Sequence, residues 1–307
     1  MTVPAVPVAF GDRPAPGAPR SRPAPVVARV LRTERLSASM VRVVLGGEGL
    51  RPFVPSEFAD SYVKLGFAPT GADLDVLDRA PLGDDGRVDR DALRDLLPAA
   101  TGPLLRAYTV RSFDPDRLEL ALDVVEHGDD GIAGPWASRA APGEPVLVNG
   151  PGGAWSPDPT VDDTVLIGDA SALPAIAVGL ERMALEARGV AVVEVHGPDD
   201  EIPLDGPAGV RIAWVHQGDA PAGERLVEAA LALDWPSGTV DAFVHGEAGA
   251  VRVLRRWLRA EKTLPLERLS ISGYWRLGHD EDRWQSTKRE WNQNVEREQA
   301  EPEKAGS

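Results

Sequence analysis

Between residues 106 and 111 the chain reads Arg-Ala-Tyr-Thr-Val-Arg, which puts a guanidinium, a phenol ring and a short hydroxyl within four positions. On a strand, Arg106, Tyr108 and Val110 share one face, and Thr109 lies on the other with Ala107 and Arg111. A flavin dinucleotide needs those three groups: a guanidinium for its pyrophosphate, a flat aromatic against its ring and a hydroxyl near the reactive N5. The segment also reads as an ordinary strand with a snorkelling Arg106 and a buried Tyr108.

Four further constellations follow. Asp123-Val124-Val125-Glu126-His127-Gly128 precedes Gly134-Pro135-Trp136-Ala137-Ser138, where Pro135 after a glycine marks a helix N-terminus. Free N–H groups there suit a pyrophosphate, although the fragment equally reads as a plain strand–turn–helix connection. In Gly168-Asp169-Ala170-Ser171-Ala172-Leu173-Pro174 an apolar strand ends and a helix opens, the place where open α/β sheets bind ligands. It is not a GxGxxG fingerprint. Phe243-Val244-His245-Gly246-Glu247-Ala248 runs into a helix carrying Arg252, Arg255, Arg256 and Arg259 on much of one face, either a solvated face or an anion-binding one. Gly273-Tyr274-Trp275-Arg276-Leu277-Gly278 sets two aromatics at the end of the last strand. The five histidines are too scattered for a metal motif, and no intrinsic metal site is expected.

The elements that must position these residues fall into two grammars. Residues 26–45 read as two strands with apolar alternation in Val-Arg-Val-Val, and 61–67, 106–111, 118–125 and 145–149 read as further short strands. Little helix interrupts them apart from a short amphipathic piece in the long connection 69–103, so a closed antiparallel six-stranded β-barrel is predicted. From about residue 160, apolar strands at 164–168, 190–196, 210–215, 240–244 and 269–274 alternate with helices at 173–188, 222–233 and 249–261. That alternation predicts a parallel α/β sheet covered on both faces. Trp284 and Trp291, seven apart, share a face of a final helix and read as packing. The expected division is a disordered Pro/Ala-rich arm at 1–25, a β-barrel domain at 26–155, an α/β domain at 160–278, and a C-terminal helix with a disordered tail at 279–307.

A formal charge of −15 disfavours nucleic acid, whose phosphates need a basic surface. It also makes any cluster of Arg and Lys stand out. The absence of cysteine excludes disulfides and cysteine-ligated iron–sulfur clusters, so a redox cofactor here is organic or held by other ligands. No apolar run approaches the roughly 20 residues of a membrane helix, and Pro4 and Pro7 interrupt the N-terminal stretch. A cytoplasmic monomer is the expectation.

Taken in order, Arg-Ala-Tyr-Thr-Val-Arg, Asp-Val-Val-Glu-His-Gly, Gly-Pro-Trp-Ala-Ser, Asn-Gly-Pro-Gly-Gly, Leu-Ile-Gly-Asp-Ala-Ser-Ala-Leu-Pro-Ala and Ser-Gly-Tyr-Trp-Arg-Leu-Gly resemble the siderophore-interacting protein family. These ferric-siderophore reductases are relatives of ferredoxin–NADP reductase, and the resemblance covers roughly residues 25 to 295. It implies an FAD-binding barrel followed by a nicotinamide-binding α/β domain. Arg106, Tyr108, Thr109 and Val110 would then hold the flavin, with Tyr108 and Thr109 closest to the chemistry. Asp123, Val125, His127, Gly128, Gly134, Trp136, Ala137 and Ser138 would line its ribityl and phosphate side. Gly168, Asp169, Ser171 and Ala172 would form the nicotinamide turn. The chain departs from the family at Ala170, where Glu is usual.

The activity implied is electron transfer from NADH or NADPH through FAD to chelated Fe(III), releasing Fe(II). A ferredoxin is an alternative donor. A pocket of Lys64, Arg139 and Arg252 would capture the anionic ferric siderophore. The rival readings are a generic flavin or quinone reductase of the same architecture and a non-catalytic siderophore-binding protein.

Overall fold

The computed structural model describes residues 23–67, 76–96, 103–126, 131–279 and 281–300. The arm up to residue 22, the tail from 301, and His127 and Gly128 lie outside the described residues. Seven antiparallel strands form the first sheet: β1 (Val26–Arg35), β2 (Met40–Gly46), β3 (Tyr62–Phe67), β4 (Leu104–Thr109), β5 (Ser112–Asp114), β6 (Glu119–Val125) and β7 (Pro145–Gly152), in the order β4-β3-β7-β1-β2-β6-β5. The expected count was six. The difference is a bend, because β4 and β5 are successive pieces of chain separated by Val110 and Arg111. The Val110 N–H donates to Ser61 O beside β3, and the Arg111 N–H donates to Ala121 O of β6. One bent strand therefore supplies both edges of the sheet.

Alternation sorts the side chains. Val41, Val43 and Leu45 pair with Val124, Leu122 and Leu120 and fill the interior with Val26, Ala28, Val63 and Leu65. Helix α2 (Ala133–Arg139) packs on β2 and β6 and drives Trp136 into that core, edge-on to Phe67. The opposite faces of β2 and β6 carry Met40 and Val125, which join the core of the second domain. Helix α1 (Arg90–Leu96) belongs to the connection between β3 and β4.

The second sheet is parallel, in the order β10-β9-β8-β11-β12, built from β8 (Asp163–Asp169), β9 (Arg188–Val195), β10 (Gly209–His216), β11 (Val240–Glu247) and β12 (Leu269–Trp275). Strand β11 is buried along its whole length, as a central parallel strand covered on both faces must be. On one face α3 (Leu173–Arg182) packs with Trp155 and Phe243. On the other lie α4 (Glu224–Leu231) and α5 (Ala248–Ala260). The predicted helix to residue 188 stops at 182. Met183 adopts extended ψ, and Arg188 must pair with Gly209. Helix α6 (Glu281–Ala300) follows, with Trp284 fully buried and edge-on to Trp291. Among the described residues no helix is long and apolar enough to cross a membrane.

Candidate active site

Strand β4 pairs with β3 along one edge, Tyr62 opposite Thr109 and Lys64 opposite Ala107. Its other edge has no ladder among the described residues, and β6 is likewise unpaired on that side beyond Ala121. The barrel wall is thus unzipped next to the Arg-Ala-Tyr-Thr segment. Arg106 and Tyr108 are half-buried on the same face, Tyr108 against the barrel core and Arg106 donating through Nη1 to Leu105 O at 2.9 Å. Thr109 is buried on the other face.

The residues expected on the phosphate side divide. Asp123 is almost fully buried and accepts two bonds from Arg42, at 2.7 and 2.8 Å, with Arg111 Nε 3.8 Å away. Arg111 in turn donates to both carboxylate oxygens of Glu181 at the end of α3, so this charge ladder runs from barrel to α/β domain. Trp136 and Ala137 are core residues, the indole donating to Glu144 at 2.8 Å. Gly134 is half-buried and Ser138 exposed, 3.5 Å from an Arg35 nitrogen. Val125 packs toward the second domain.

At the carboxyl ends of the parallel strands, Asp169 receives four donors: the Ser171 N–H at 2.9 Å, Ser171 Oγ at 2.5 Å, the Glu247 N–H at 2.8 Å and Trp275 Nε1 at 2.8 Å. Burial still holds its pKa above the usual carboxylate value against those bonds. The carboxylate thereby ties together the ends of β8, β11 and β12. The surroundings leave no room for side chains. A Cβ on Gly246, at φ 144°, would lie 2.6 Å from Asp169 Oδ2, and one on Gly168 would lie 2.6 Å from the Ala172 Cβ. Glu247 caps α5 by accepting from the Ala250 N–H and also accepts from the Leu277 N–H. Glu194, not singled out from sequence, does the same for α4 through the Gly223 and Leu226 N–H groups. Its only sequence signal was an acid inside an otherwise apolar run, near the strand's end.

The two domains meet over aromatic residues. Trp155, Phe243, His245 and Tyr274 form a column with centroid separations of 4.6, 4.0 and 4.7 Å. The Tyr274 phenol is pushed well above its usual range, first by burial and then by Asp60, Asp169 and Tyr62. Its surroundings thus include groups from both domains.

A pocket of about 250 Å³ opens on the outer face of β3, lined by Tyr62, Lys64, Arg90, Leu105, Asn149 and the turn 150–152. Of the three cations expected to share a pocket, only Lys64 lines this one. Arg139 is exposed at the end of α2, against β2 and β6 across the barrel from β3. Arg252 is exposed on α5, whose neighbouring Arg255 senses Glu296 of α6. Arg90 was not anticipated, because nothing local marks a helix in the β3–β4 connection as reaching this face.

An antiparallel β domain joined to a parallel α/β domain, with the site at the parallel strands' carboxyl ends, is the ferredoxin-reductase-like architecture of FAD-dependent oxidoreductases. Within that class, the profile of the siderophore-interacting FAD-binding domain matches residues 29–155, and that of the siderophore-interacting protein matches residues 161–278. The chain belongs to the siderophore-interacting protein family. An uncharacterised protein of Mycobacterium tuberculosis is 44% identical over 272 residues, covering 85% of this chain and 93% of the other. The ferric vibriobactin reductase of Vibrio cholerae is 31% identical over 257 residues, covering 82% and 89%. The crystal structure of the siderophore-interacting protein from Aeromonas hydrophila superposes with a TM-score of 0.72 at 27% identity, covering 88% and 98%.

The unzipped wall, with a guanidinium and a phenol on one strand face beside it, fits the FAD that the family binds.

Proposed function

We propose that this protein is a ferric-siderophore reductase that spends one NAD(P)H to reduce two chelated Fe(III) ions, yielding NAD(P)⁺, a proton and two Fe(II). What supports the reading is the presence in one chain of three features: the unzipped Arg-Ala-Tyr-Thr strand, the Asp169-locked turn at the carboxyl ends of the parallel strands, and a cationic pocket at Lys64. FAD, when bound, supplies the conversion between a two-electron donor and one-electron acceptors. The protein's own task is positioning, so no side chain is needed as nucleophile or general base. Arg106 would grip the pyrophosphate, Tyr108 would pack against the flat ring, and Thr109 would offer its hydroxyl at the ring's edge. Ser171 and Ala172, at the opening of α3, would receive the nicotinamide nucleotide. Lys64 would draw in the anionic chelate against the overall charge of −15. Weaker binding of Fe(II) than Fe(III) by such chelators makes reduction the release step.

The test is anaerobic. Purified protein loaded with FAD is bleached with NADH or NADPH, then mixed with a panel of ferric siderophores, quinones and free flavin. Recovery of the absorbance should be fastest with ferric chelates. Equal or faster recovery with quinones means a generic reductase, and a protein that neither holds nor gains FAD overturns the reading. Arg106→Ala should lose most of the bound flavin, because a charge-assisted contact is roughly twice as strong as a neutral one.

A further inference from the structure

We propose that Arg90, delivered by the connection between β3 and β4, is a second ligand-gripping cation of the Lys64 pocket, and that this pocket takes a flat, anionic arm of the chelate of catecholate type. The inference rests on the reading that a ferric chelate docks at Lys64.

Strand register puts Lys64 and Asn149 side by side on the outer barrel face, with Gly66 beside Leu147 one step along. Leu147 and Val27 form an apolar pad there, and the connection covers it with Val76, Leu77, Val88 and Leu93. Arg90 stands one helical turn before Leu93, so seating Leu93 on the pad swings Arg90 toward the neighbouring pocket.

Its position is also tethered. Three successive carbonyls leading into β1 accept from the connection: Pro23 O from Arg90 Nη2 at 2.6 Å, Ala24 O from Arg87 Nη1 at 2.8 Å, and Pro25 O from the Val88 N–H at 2.8 Å. One bond to Pro23 leaves Arg90 most of its five N–H donors for a ligand.

Two cations thus line one small pocket, and among the described residues no carboxylate lines it. Three of the acids nearby in sequence are engaged elsewhere. Asp91 pairs with Arg94, Asp89 caps the first turn of α1, and Asp85 faces Arg87. In a protein of charge −15, two like charges with no acid among the described residues of their pocket call for an anion. The walls decide what kind. The Tyr62 ring lies so close over Gly152 that a Cβ there would come within 2.3 Å of it, and Leu105 and Pro151 complete flat apolar sides. The volume of about 250 Å³ is below the roughly 300–1,000 Å³ of sites that enclose a whole small molecule. It therefore holds one planar anionic arm, with the body of the chelate outside.

The experiment separates binding from reduction by using Ga(III), which has the charge and size of Fe(III) but is not reduced. Flavin-loaded protein is titrated calorimetrically with the Ga(III) complexes of a tris-catecholate and of a neutral tris-hydroxamate, at low and high salt. Arg90→Ala should weaken catecholate binding about tenfold at low salt and less at high salt, with hydroxamate binding unmoved. Arg90→Lys should recover part of the loss, and Arg94→Ala, one turn along and paired with Asp91, should bind like the parent. If Arg90→Ala binds the catecholate as the parent does while Lys64→Ala does not, Arg90 is only a clamp on Pro23 and the proposal is wrong. If neither substitution matters although the complex binds, the chelate docks elsewhere and both the proposal and the role of Lys64 fall. If neither complex binds and ferric chelates do not reoxidise the flavin, it is the reductase reading itself that has failed.

Discussion

His245 carries a pH dependence large enough to measure. Its ring is stacked on Phe243 and tilted against Tyr274, Nε2 lies 3.1 Å from Ser270 Oγ, and Nδ1 is buried without a hydrogen-bond partner among the described residues. Burial, then the charge of Lys288 on α6, lowers its pKa from 6.5 to about 3. Below pH 6.5 the unfolded chain therefore binds a proton that the folded chain refuses. The stability contributed is complete above 6.5 and drains away as pH falls toward 3. Each pH unit in that window costs about 1.4 kcal/mol, so going from pH 7 to pH 5 removes about 2 kcal/mol through this one residue. Asp60, Asp169 and Glu194 run the other way. Their pKa values are raised by burial, so what they contribute is present at low pH and is lost as pH rises through those values. His245→Phe keeps an aromatic ring in the column and removes the titration, while the three carboxylates remain in both proteins and cancel on subtraction. Urea unfolding of parent and variant, followed by tryptophan fluorescence from pH 8 to pH 5, gives the difference directly. The variant should gain about 2 kcal/mol on the parent between pH 7 and pH 5. Stability curves that stay parallel over that range would refute the argument.

Two further outcomes follow from the charge ladder and the acidic strand end. Asp123→Ala leaves Arg42 and Arg111 facing a buried gap, which should cost about 3 kcal/mol and lower the thermal midpoint by roughly 6–12 °C, read by circular dichroism. An unchanged midpoint with a collapse of FAD affinity would instead mean that this carboxylate serves the cofactor. For the nucleotide donor, Asp199 and Glu201 remain exposed beyond β9, Glu201 2.8 Å from His216, whereas Asp200 is buried and accepts from Ser37 and Ser39 of the barrel. Carboxylates beside the adenosine ribose repel a 2′-phosphate, so kcat/KM should be several-fold higher for NADH than for NADPH, and Glu201→Gln should narrow the gap. Equal specificity constants in the parent protein would contradict this.

What could be read from sequence was whatever is written in local periodicity. Val41 and Val43 alternate with Arg42 because they face the barrel core while Arg42 pairs with Asp123, and Thr-Val-Leu-Ile-Gly shows no alternation because β8 is covered on both faces. Local propensity misled at Glu181–Arg188, where good helix formers suggest a longer α3. Gly189, at φ 154°, passes so close to Thr164 that a Cβ would sit 1.9 Å from its carbonyl, and strand pairing there ends the helix early. The division of β4 from β5 was equally hidden, since Val110 and Arg111 read as a continuation of the strand while the chain changes partners. At the site, the motifs indicated the chemistry but not which side chains remain available for it. The family resemblance cast Asp123 as a cofactor ligand. Register then sets it directly opposite Arg42, and the pair consumes it. Nothing local singled out Arg90, and the packing of Leu93 with Leu147 brings it to the pocket of Lys64. Both outcomes depend on pairings between residues 54 to 81 positions apart. A one-residue slip in β2 against β6 would exchange Asp123 for a core valine, so pairing determines which charges are spent and which stay free to bind.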